Sequence, residues 1–361
     1  MTIWSMQETM ALIHPWLPGH LVDPVVLARI EECARCLPEL FSSYYLEYRL
    51  RDGDPRVDLL ASIATPARAS RAPLDRTRVA RELACLETGS PAWERVTRFA
   101  RAWADPDDRL HAQIPLVWLE FDDMHGEAGG APEPCFHACV DRDYLQHGDR
   151  SAASGDGEAG ARDVIEGLFE VLLGQPLPAA TSRALQACCE RLGPGGRMIH
   201  VSVMLSRTPA AIKIYGCVPR HDLHGYLQRI EWPGCRRALD ELLDGFCLPD
   251  TVDDTIYFDL ALDEHVTPYI GIVFSQMQLG AGDNRDPRRK ALLDRLVAGG
   301  LCAPDRRDAA LAWPGSTRVV HASSSTPARM RRWLDIKLGH RPGLPLEAKA
   351  YLGISPVFSL F

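Results

Sequence analysis

The sequence predicts an α+β fold in which a ten-stranded antiparallel β-barrel is surrounded by helices. A unit of one helical stretch and one β-hairpin recurs five times along the 361 residues, and recurrence over the whole length indicates an architecture. The strands alternate apolar and polar residues, so one face of the sheet is polar. Ten consecutive antiparallel strands can close into a barrel, which removes exposed sheet edges and encloses a lumen. An open α+β sheet is the alternative interpretation.

The five hairpins each consist of two alternating runs separated by turn residues. They are predicted at residues 44–63, 115–140, 198–218, 255–275 and 333–354. Amphipathic segments with apolar residues at helical spacing are predicted between them, at 76–87, 161–173, 184–192, 235–246 and 287–300. The basic run at 326–332 is predicted as the start of another helix. No linker divides the chain, so residues 1–361 are predicted as a single domain, with a flexible loop at about 142–162.

Composition excludes several classes of function. The formal net charge of -8 argues against nucleic acid as a partner, because a phosphate-backbone binder usually carries a basic face. The N-terminal residues lack the signature of a secretory signal, and no apolar run reaches the length of a membrane span, so neither membrane binding nor export is expected. Eleven cysteines without disulfide spacing indicate reduced thiols and a cytoplasmic location.

Two strands carry a lysine and a tyrosine on the same side, Lys213 with Tyr215 and Lys349 with Tyr351. The opposite faces of these two strands are apolar and would pack against helices, so the ammonium and phenol groups face inward. Alternation applied to every strand predicts a mixed lumen of Tyr45, Glu47, Arg49, Arg56, Asp58, Trp118, Glu120, Asp122, His137, His200, Ser202, Met204, Lys213, Tyr215, Tyr257, Asp259, Tyr269, Asp335, Lys337, Lys349 and Tyr351.

Four of these side chains are cations that could converge on a pyrophosphate, together with the hydroxyls of Tyr215 and Tyr351. They are Arg56, Lys213, Lys337 and Lys349. Loss of pyrophosphate from an allylic donor leaves a carbocation, and tyrosine faces stabilise such a cation while excluding water. Three inward tyrosines could shield the cation in this way: Tyr215, Tyr269 and Tyr351.

Two inward carboxylates, Glu47 and Glu120, are the candidates for accepting the proton of an indole or phenol when the ring regains aromaticity. Trp118 is either a platform that stacks on the acceptor or a core residue. The inward charges also admit a structural interpretation, in which Glu47 pairs with Arg49 or Arg56 and Asp335 pairs with Lys337. The Asp-Asp pairs at 122–123 and 253–254 lack metal-site spacing, so no metal is expected.

The repeat layout and five short motifs resemble the ABBA, or PT-barrel, aromatic prenyltransferases, most closely the dimethylallyltryptophan synthase type. The motifs are Leu46-Glu47-Tyr48, Arg56-Val57, Ala211-Ile212-Lys213-Ile214-Tyr215, Thr255-Ile256-Tyr257-Phe258-Asp259 with Pro268-Tyr269, and Lys349-Ala350-Tyr351-Leu352. The resemblance implies that Glu47 binds the aromatic acceptor, that Arg56 binds pyrophosphate, and that Tyr257, Tyr269 and Tyr351 belong to the site. The chain departs from the pattern at Cys135-Phe136-His137 and at Gly271, where the family has lysines.

The resemblance implies a metal-independent aromatic prenyltransferase without a cofactor. Its substrates would be an allylic pyrophosphate, dimethylallyl in type, and an indole or phenol acceptor that is free or part of a peptide. A monomer or weak homodimer is expected. The alternative is a repurposed or non-catalytic barrel that binds a small molecule or peptide in a natural-product pathway, and the two missing lysines favour it.

Overall fold

The chain forms a closed ten-stranded antiparallel barrel with helices on its outside. The computed structural model describes residues 5–17, 22–64, 75–86, 89–122, 132–141, 158–208, 210–247, 254–275, 287–320 and 327–357. The strands are β1 (Ser43–Arg49), β2 (Val57–Ala64), β3 (Leu116–Phe121), β4 (Pro134–Cys139), β5 (Arg197–Val203), β6 (Ile212–Pro219), β7 (Thr255–Leu262), β8 (Val266–Phe274), β9 (Gly315–Val320), β10 (Pro327–His340) and β11 (Glu347–Val357). Neighbours pair in chain order from β1 to β8, then β10 and β11 follow, and β11 pairs back with β1. The predicted barrel closure is therefore confirmed.

The helices precede or connect the hairpins. They are α1 (Met6–Ile13), α2 (Pro24–Cys36), α3 (Arg76–Ala84), α4 (Pro91–Ala104), α5 (Arg109–Gln113), α6 (Glu158–Leu173), α7 (Ala179–Glu190), α8 (Leu223–Arg229), α9 (Arg236–Phe246), α10 (Pro287–Ala298) and α11 (Pro304–Ala312). Local signals begin several of them: Ser5 and Glu8 form a capping box at α1, and Asp23 caps α2. Within the described part of the chain, no helix is both long and apolar enough to cross a membrane.

The hydrophobic core lies between the outer face of the barrel and the helices. Strand alternation supplies one side of it, for example Leu46 and Tyr48 of β1, which are buried. The apolar stripe of α4 supplies part of the other side, and Phe99 lies 4.6 Å from Phe136 of β4 between ring centroids. Because the apolar side chains point outward into this layer, the opposite faces of the same strands are free to carry charge.

Two regions differ from the sequence predictions. Residues 327–332 form the first half of β10 and pair with β9, although a helix was predicted from 326. The error came from reading the basic residues as a helix face, whereas Ala328 and Met330 are buried at the two-residue period of a strand. Strand β9 was not predicted at all. Residues 142–157 of the predicted loop lie outside the described residues, and α6 already begins at Glu158.

Aromatic side chains cluster at one end of the lumen, and we call this cluster the aromatic floor: Tyr45, Trp118, Trp333 and Tyr351. The ring centroid of Tyr45 lies 5.2 Å from that of Trp118, 5.3 Å from that of Trp333 and 6.0 Å from that of Tyr351. The indole N–H of Trp333 donates to the Tyr45 hydroxyl at 2.8 Å, which donates to Asp335 at 2.7 Å. Tilted and edge-to-face ring contacts therefore hold the floor together, along with hydrogen bonds.

Gly353 provides the space for this floor. A Cβ at that position would lie 2.0 Å from Cε2 of Trp333. We expect Gly353→Ala to lower the free energy of unfolding by about 1–3 kcal/mol, because the indole must leave a packed position. Chemical denaturation followed by tryptophan fluorescence measures the change. Gly245→Ala is the control, since its Cβ meets nothing within 4 Å and it lies in a helix, where alanine is favoured. Equal stability of Gly353→Ala and the wild type would contradict this account of the floor.

Candidate functional site in the barrel lumen

A cavity of about 810 Å³ occupies the lumen. Its mouth lies at the turns that join β1 to β2 and β10 to β11, because turn residues such as Arg51 and Pro345 line it. Three members of the aromatic floor, Tyr45, Trp118 and Tyr351, line its other end. The volume is within the range of pockets that hold drug-sized ligands.

All but two of the residues predicted to face the lumen line this cavity. The exceptions are Met204 and Tyr257, which are both buried. Met204 follows the end of β5 at Val203, so alternation no longer applies to it. Tyr257 packs with Ile199 and Cys217 in a small buried cluster separate from the outer core, and its ring stacks 6.2 Å from that of Tyr215, which lines the cavity.

Two of the predicted phosphate-binding lysines are held in ion pairs. The ammonium of Lys349 lies 2.7 Å from Glu47, and that of Lys337 lies 3.0 Å from Asp259. Burial is the largest single effect and would lower both lysine pKa values, but the nearby carboxylates together outweigh it, led by Glu47 for Lys349 and by Asp259 for Lys337, so the pKa of each lysine is raised. The predicted pair of Glu47 with Arg49 is present at 4.0 Å, whereas Lys337 contacts Asp259 and Asp335 accepts a hydrogen bond from Tyr45. Both lysines are therefore protonated, and a neighbouring carboxylate already balances the positive charge of each.

Glu120 forms the centre of a second group of contacts. Its carboxylate lies 3.2 Å from Nη2 of Arg207 and 2.8 Å from Nε2 of His137. Arg207 also pairs with Asp122 at 2.5 Å. Burial would raise the pKa of Glu120, but His137, Lys213 and Arg207 together hold it well below its usual range. Sequence reasoning missed Arg207, which lies in the turn after β5, where strand alternation gives no signal.

Lys213 differs from the other lumen lysines. Within the described residues its ammonium makes no ion pair at 4.0 Å or less, and it lies 5.7 Å from the ring centroid of Tyr269. Its pKa is lowered, first by burial and then by the charge of Lys337. Arg341, at the mouth, lies at the same distance from the Tyr269 ring. Lys213 is thus a cation inside the cavity whose hydrogen-bonding capacity is available to a ligand.

Arg56 lies at the mouth rather than deep in the lumen. Its guanidinium is 48% exposed and pairs with Asp54 at 2.6 Å and with Glu347 at 3.4 Å. The family resemblance leads one to expect a lysine at Gly271, but neighbouring side chains leave no room there for a Cβ. A Cβ there would lie 1.7 Å from Oδ1 of Asp259 and 2.9 Å from the hydroxyl of Tyr269.

The cavity wall is balanced in charge. Among the described residues it carries eight Lys or Arg and eight Asp or Glu side chains. Three of the carboxylates, Glu47, Asp58 and Glu120, have oxygens within 4.8 Å of one another. Each of these carboxylates contacts a basic side chain, and Arg49 lies 2.7 Å from Asp58. The acidic cluster therefore belongs to an ion-pair network around the lumen.

Glu47 should make the stability of the protein dependent on pH. Burial is the largest single effect and raises its pKa, but Lys349, Lys337 and Arg49 together outweigh it and lower the pKa to about 2. The pKa of this carboxyl is near 4.5 in the unfolded chain, so at pH values above 4.5 the lowered pKa in the folded protein stabilises the fold. That contribution is lost as the pH falls toward 2. We expect wild type to lose about 3 kcal/mol over this window through Glu47, on the linkage of about 1.4 kcal/mol per pKa unit. Urea unfolding at several pH values should give Glu47→Gln a shallower dependence, whereas an unchanged slope would contradict the assignment.

A closed ten-stranded antiparallel barrel with outer helices and a polar lumen is the PT-barrel fold, as the sequence resemblance implied. NotF, solved as a crystal structure in complex with brevianamide F and DMSPP, has a similar structure. The similarity has a TM-score of 0.51, covers 99% of this chain and 100% of that chain, and has 13% sequence identity. At this identity it establishes the fold. No protein-family model and no curated protein matches the sequence.

Proposed function

We infer that the protein transfers an allylic group, dimethylallyl in type, from its pyrophosphate to an indole or phenol acceptor that is free or part of a peptide. The observation that carries the proposal is the available ammonium of Lys213 inside a cavity lined by tyrosines. The similarity to NotF supports it, because that protein was solved with the prenyl diphosphate analogue DMSPP.

In this proposal the pyrophosphate lies against Lys213 and the tyrosine hydroxyls, with Lys337 and Lys349 near enough to share the added negative charge. Arg56 and Arg341 receive the donor at the mouth. Side-chain cations supply the positive charge, so no metal is required for binding. The donor's allylic chain then lies deeper than its phosphates, toward the aromatic floor.

Ionisation leaves an allylic cation among aromatic faces, which stabilise it and exclude water. Tyr215, Tyr269 and Tyr351 line the cavity, and Tyr257 supports Tyr215 by stacking. Trp118, in the floor, offers a surface on which a flat acceptor stacks.

The acceptor's N–H or O–H would donate to an ionised carboxylate. Both candidates, Glu47 and Glu120, have lowered pKa values and are ionised at neutral pH. The carboxylate stabilises positive charge on the ring as the new carbon–carbon bond forms, and it receives or relays the proton when the ring regains aromaticity.

The transfer is tested by incubating the protein with dimethylallyl pyrophosphate and a set of indoles, phenols and tryptophan-containing dipeptides in EDTA. Mass spectrometry detects an acceptor that has gained one dimethylallyl group. We expect a product in EDTA, and a rate at least about 100-fold lower in Glu47→Gln or Glu120→Gln, the scale of a lost proton acceptor. Glu241→Gln is the control, because that side chain is 66% exposed and its ion pair is with Arg237 on the same helix.

The charge balance of the wall favours a second candidate, a barrel that binds an acceptor-like molecule without transferring anything. Lys337 and Lys349 are neutralised and Arg56 is paired at the mouth, so three of the four predicted phosphate cations are occupied. Absence of product with every acceptor, together with saturable binding of an indole or dipeptide, would favour this candidate over prenyl transfer.

A further inference from the structure

Three lumen side chains on neighbouring strands form a continuous series of polar contacts. Oγ of Ser202 lies 2.7 Å from Nδ1 of His137, and Nε2 of the same imidazole lies 2.8 Å from Oε2 of Glu120. All three residues line the cavity, and the sheet register places Ser202 directly opposite His137. A hydroxyl, an imidazole and a carboxylate in this order are the groups that activate a serine nucleophile.

The charge of Glu120 decides which nitrogen of His137 carries the proton. With its pKa held well below the usual range, the carboxylate is ionised. A negative oxygen 2.8 Å from Nε2 favours a proton on Nε2, which leaves Nδ1 as an acceptor. The Ser202 hydroxyl therefore donates to Nδ1, and the imidazole is oriented to take its proton. In the familiar serine triad Nε2 faces the serine and Nδ1 faces the carboxylate. Here the two nitrogens are exchanged, but serine, imidazole and carboxylate keep the same roles.

A positive charge faces the same point of the lumen. Lys213 pairs directly with Ser202 in the register of β5 and β6, and both side chains line the cavity. An ammonium that has no carboxylate partner among the described residues can stabilise an oxyanion that forms at Ser202. His200, two residues away, does not compete as a base, because burial lowers its pKa to about 3. Its ring stacks 5.6 Å from that of Tyr215 and offers a flat surface beside the serine.

We propose that Ser202 is a nucleophile that attacks carboxylic esters with a flat acyl group, as a second reactive centre of this lumen. Ser202 Oγ forms a bond to the carbonyl carbon while its proton moves to Nδ1 of His137, and the oxyanion faces Lys213. The bond from that carbon to the leaving oxygen then breaks, and Nδ1 returns the proton to the departing alcohol. Water, activated by the same nitrogen, cleaves the acyl-serine and restores the hydroxyl.

A fluorophosphonate probe tests this centre directly, because such probes phosphonylate activated serines: the serine oxygen bonds to phosphorus and fluoride leaves. Peptide mass spectrometry should locate one adduct at Ser202 in the wild type and none in Ser202→Ala. His137→Gln should label about 100-fold more slowly, since the base that takes the proton is lost. Ser206→Ala is the matched control. The Ser206 hydroxyl contacts Asp122 and Cys135 rather than a histidine, so its loss should leave the labelling rate unchanged.

An unlabelled wild type, or equal labelling in wild type and His137→Gln, would overturn the proposal. The His137→Gln comparison keeps it falsifiable if Ser202→Ala fails to fold, and circular dichroism verifies folding of each variant. The assay contains neither prenyl donor nor acceptor. Labelling of Ser202 in a protein that transfers no prenyl group would therefore support this centre while contradicting the proposed function.

Discussion

Lys349→Met should lose about 3–5 kcal/mol of unfolding free energy at neutral pH, because it removes one partner of a buried ion pair. Glu47, 3% exposed, would keep its charge in the lumen without its 2.7 Å contact, and Arg49 at 4.0 Å compensates only in part. Urea denaturation measures the loss. The double variant Glu47→Gln/Lys349→Met should recover much of it, since neither charge is then left alone.

Lys290→Met provides the control for this experiment. Lys290 also forms an ion pair, with Asp294 at 2.5 Å, but its side chain is 62% exposed, so we expect a change of about 0.5 kcal/mol or less. A loss below about 1 kcal/mol in Lys349→Met would mean that solvent or Arg49 already neutralises Glu47, contrary to the network described above.

Lys213→Met should have the opposite effect on stability. Its ammonium has a lowered pKa and no ion-pair partner among the described residues, so the folded state disfavours its charge. Replacing it with an apolar side chain of similar length should stabilise the protein by about 1–2 kcal/mol at neutral pH. The gain should shrink as the pH rises toward the ordinary lysine range, where the unfolded chain also loses the proton.

The same substitution should remove anion binding, so stability and function would change in opposite directions at one residue. Thermal unfolding at pH 7 and at pH 10, with and without DMSPP, separates the two effects. If Lys213→Met were destabilised at neutral pH, Lys213 would have a structural partner instead of being available to a ligand.

Alternation was sufficient to predict the barrel and most of its lumen. Ile212 is buried in the outer core while Lys213 and Tyr215 line the cavity, because strand periodicity couples the two faces. The same rule failed where a strand ended. Met204 does not line the cavity, and Arg207 turns back into it from the loop after β5.

Pairing within the lumen could not be predicted from the sequence. Lys349 meets Glu47 from 302 positions away because β11 closes the barrel against β1, and Lys337 meets Asp259 from the next-but-one strand. Sequence proximity suggested Arg49 or Arg56 for Glu47, and Arg49 does lie 4.0 Å from it, but the same reasoning suggested Lys337 for Asp335, whereas Lys337 contacts Asp259. The contacts of His137 likewise required the register of β3, β4 and β5. Such contacts depend on closure and register, which no short segment encodes.

The central claim is that this charge-balanced lumen keeps Lys213 available for a pyrophosphate. Calorimetric titration of DMSPP in EDTA, into wild type, Lys213→Met and Lys290→Met, tests it most directly. The account predicts saturable binding to wild type and Lys290→Met, and binding at least about tenfold weaker to Lys213→Met, the scale of one charged hydrogen bond. No binding to the folded wild type, or equal affinity in all three proteins, would contradict it.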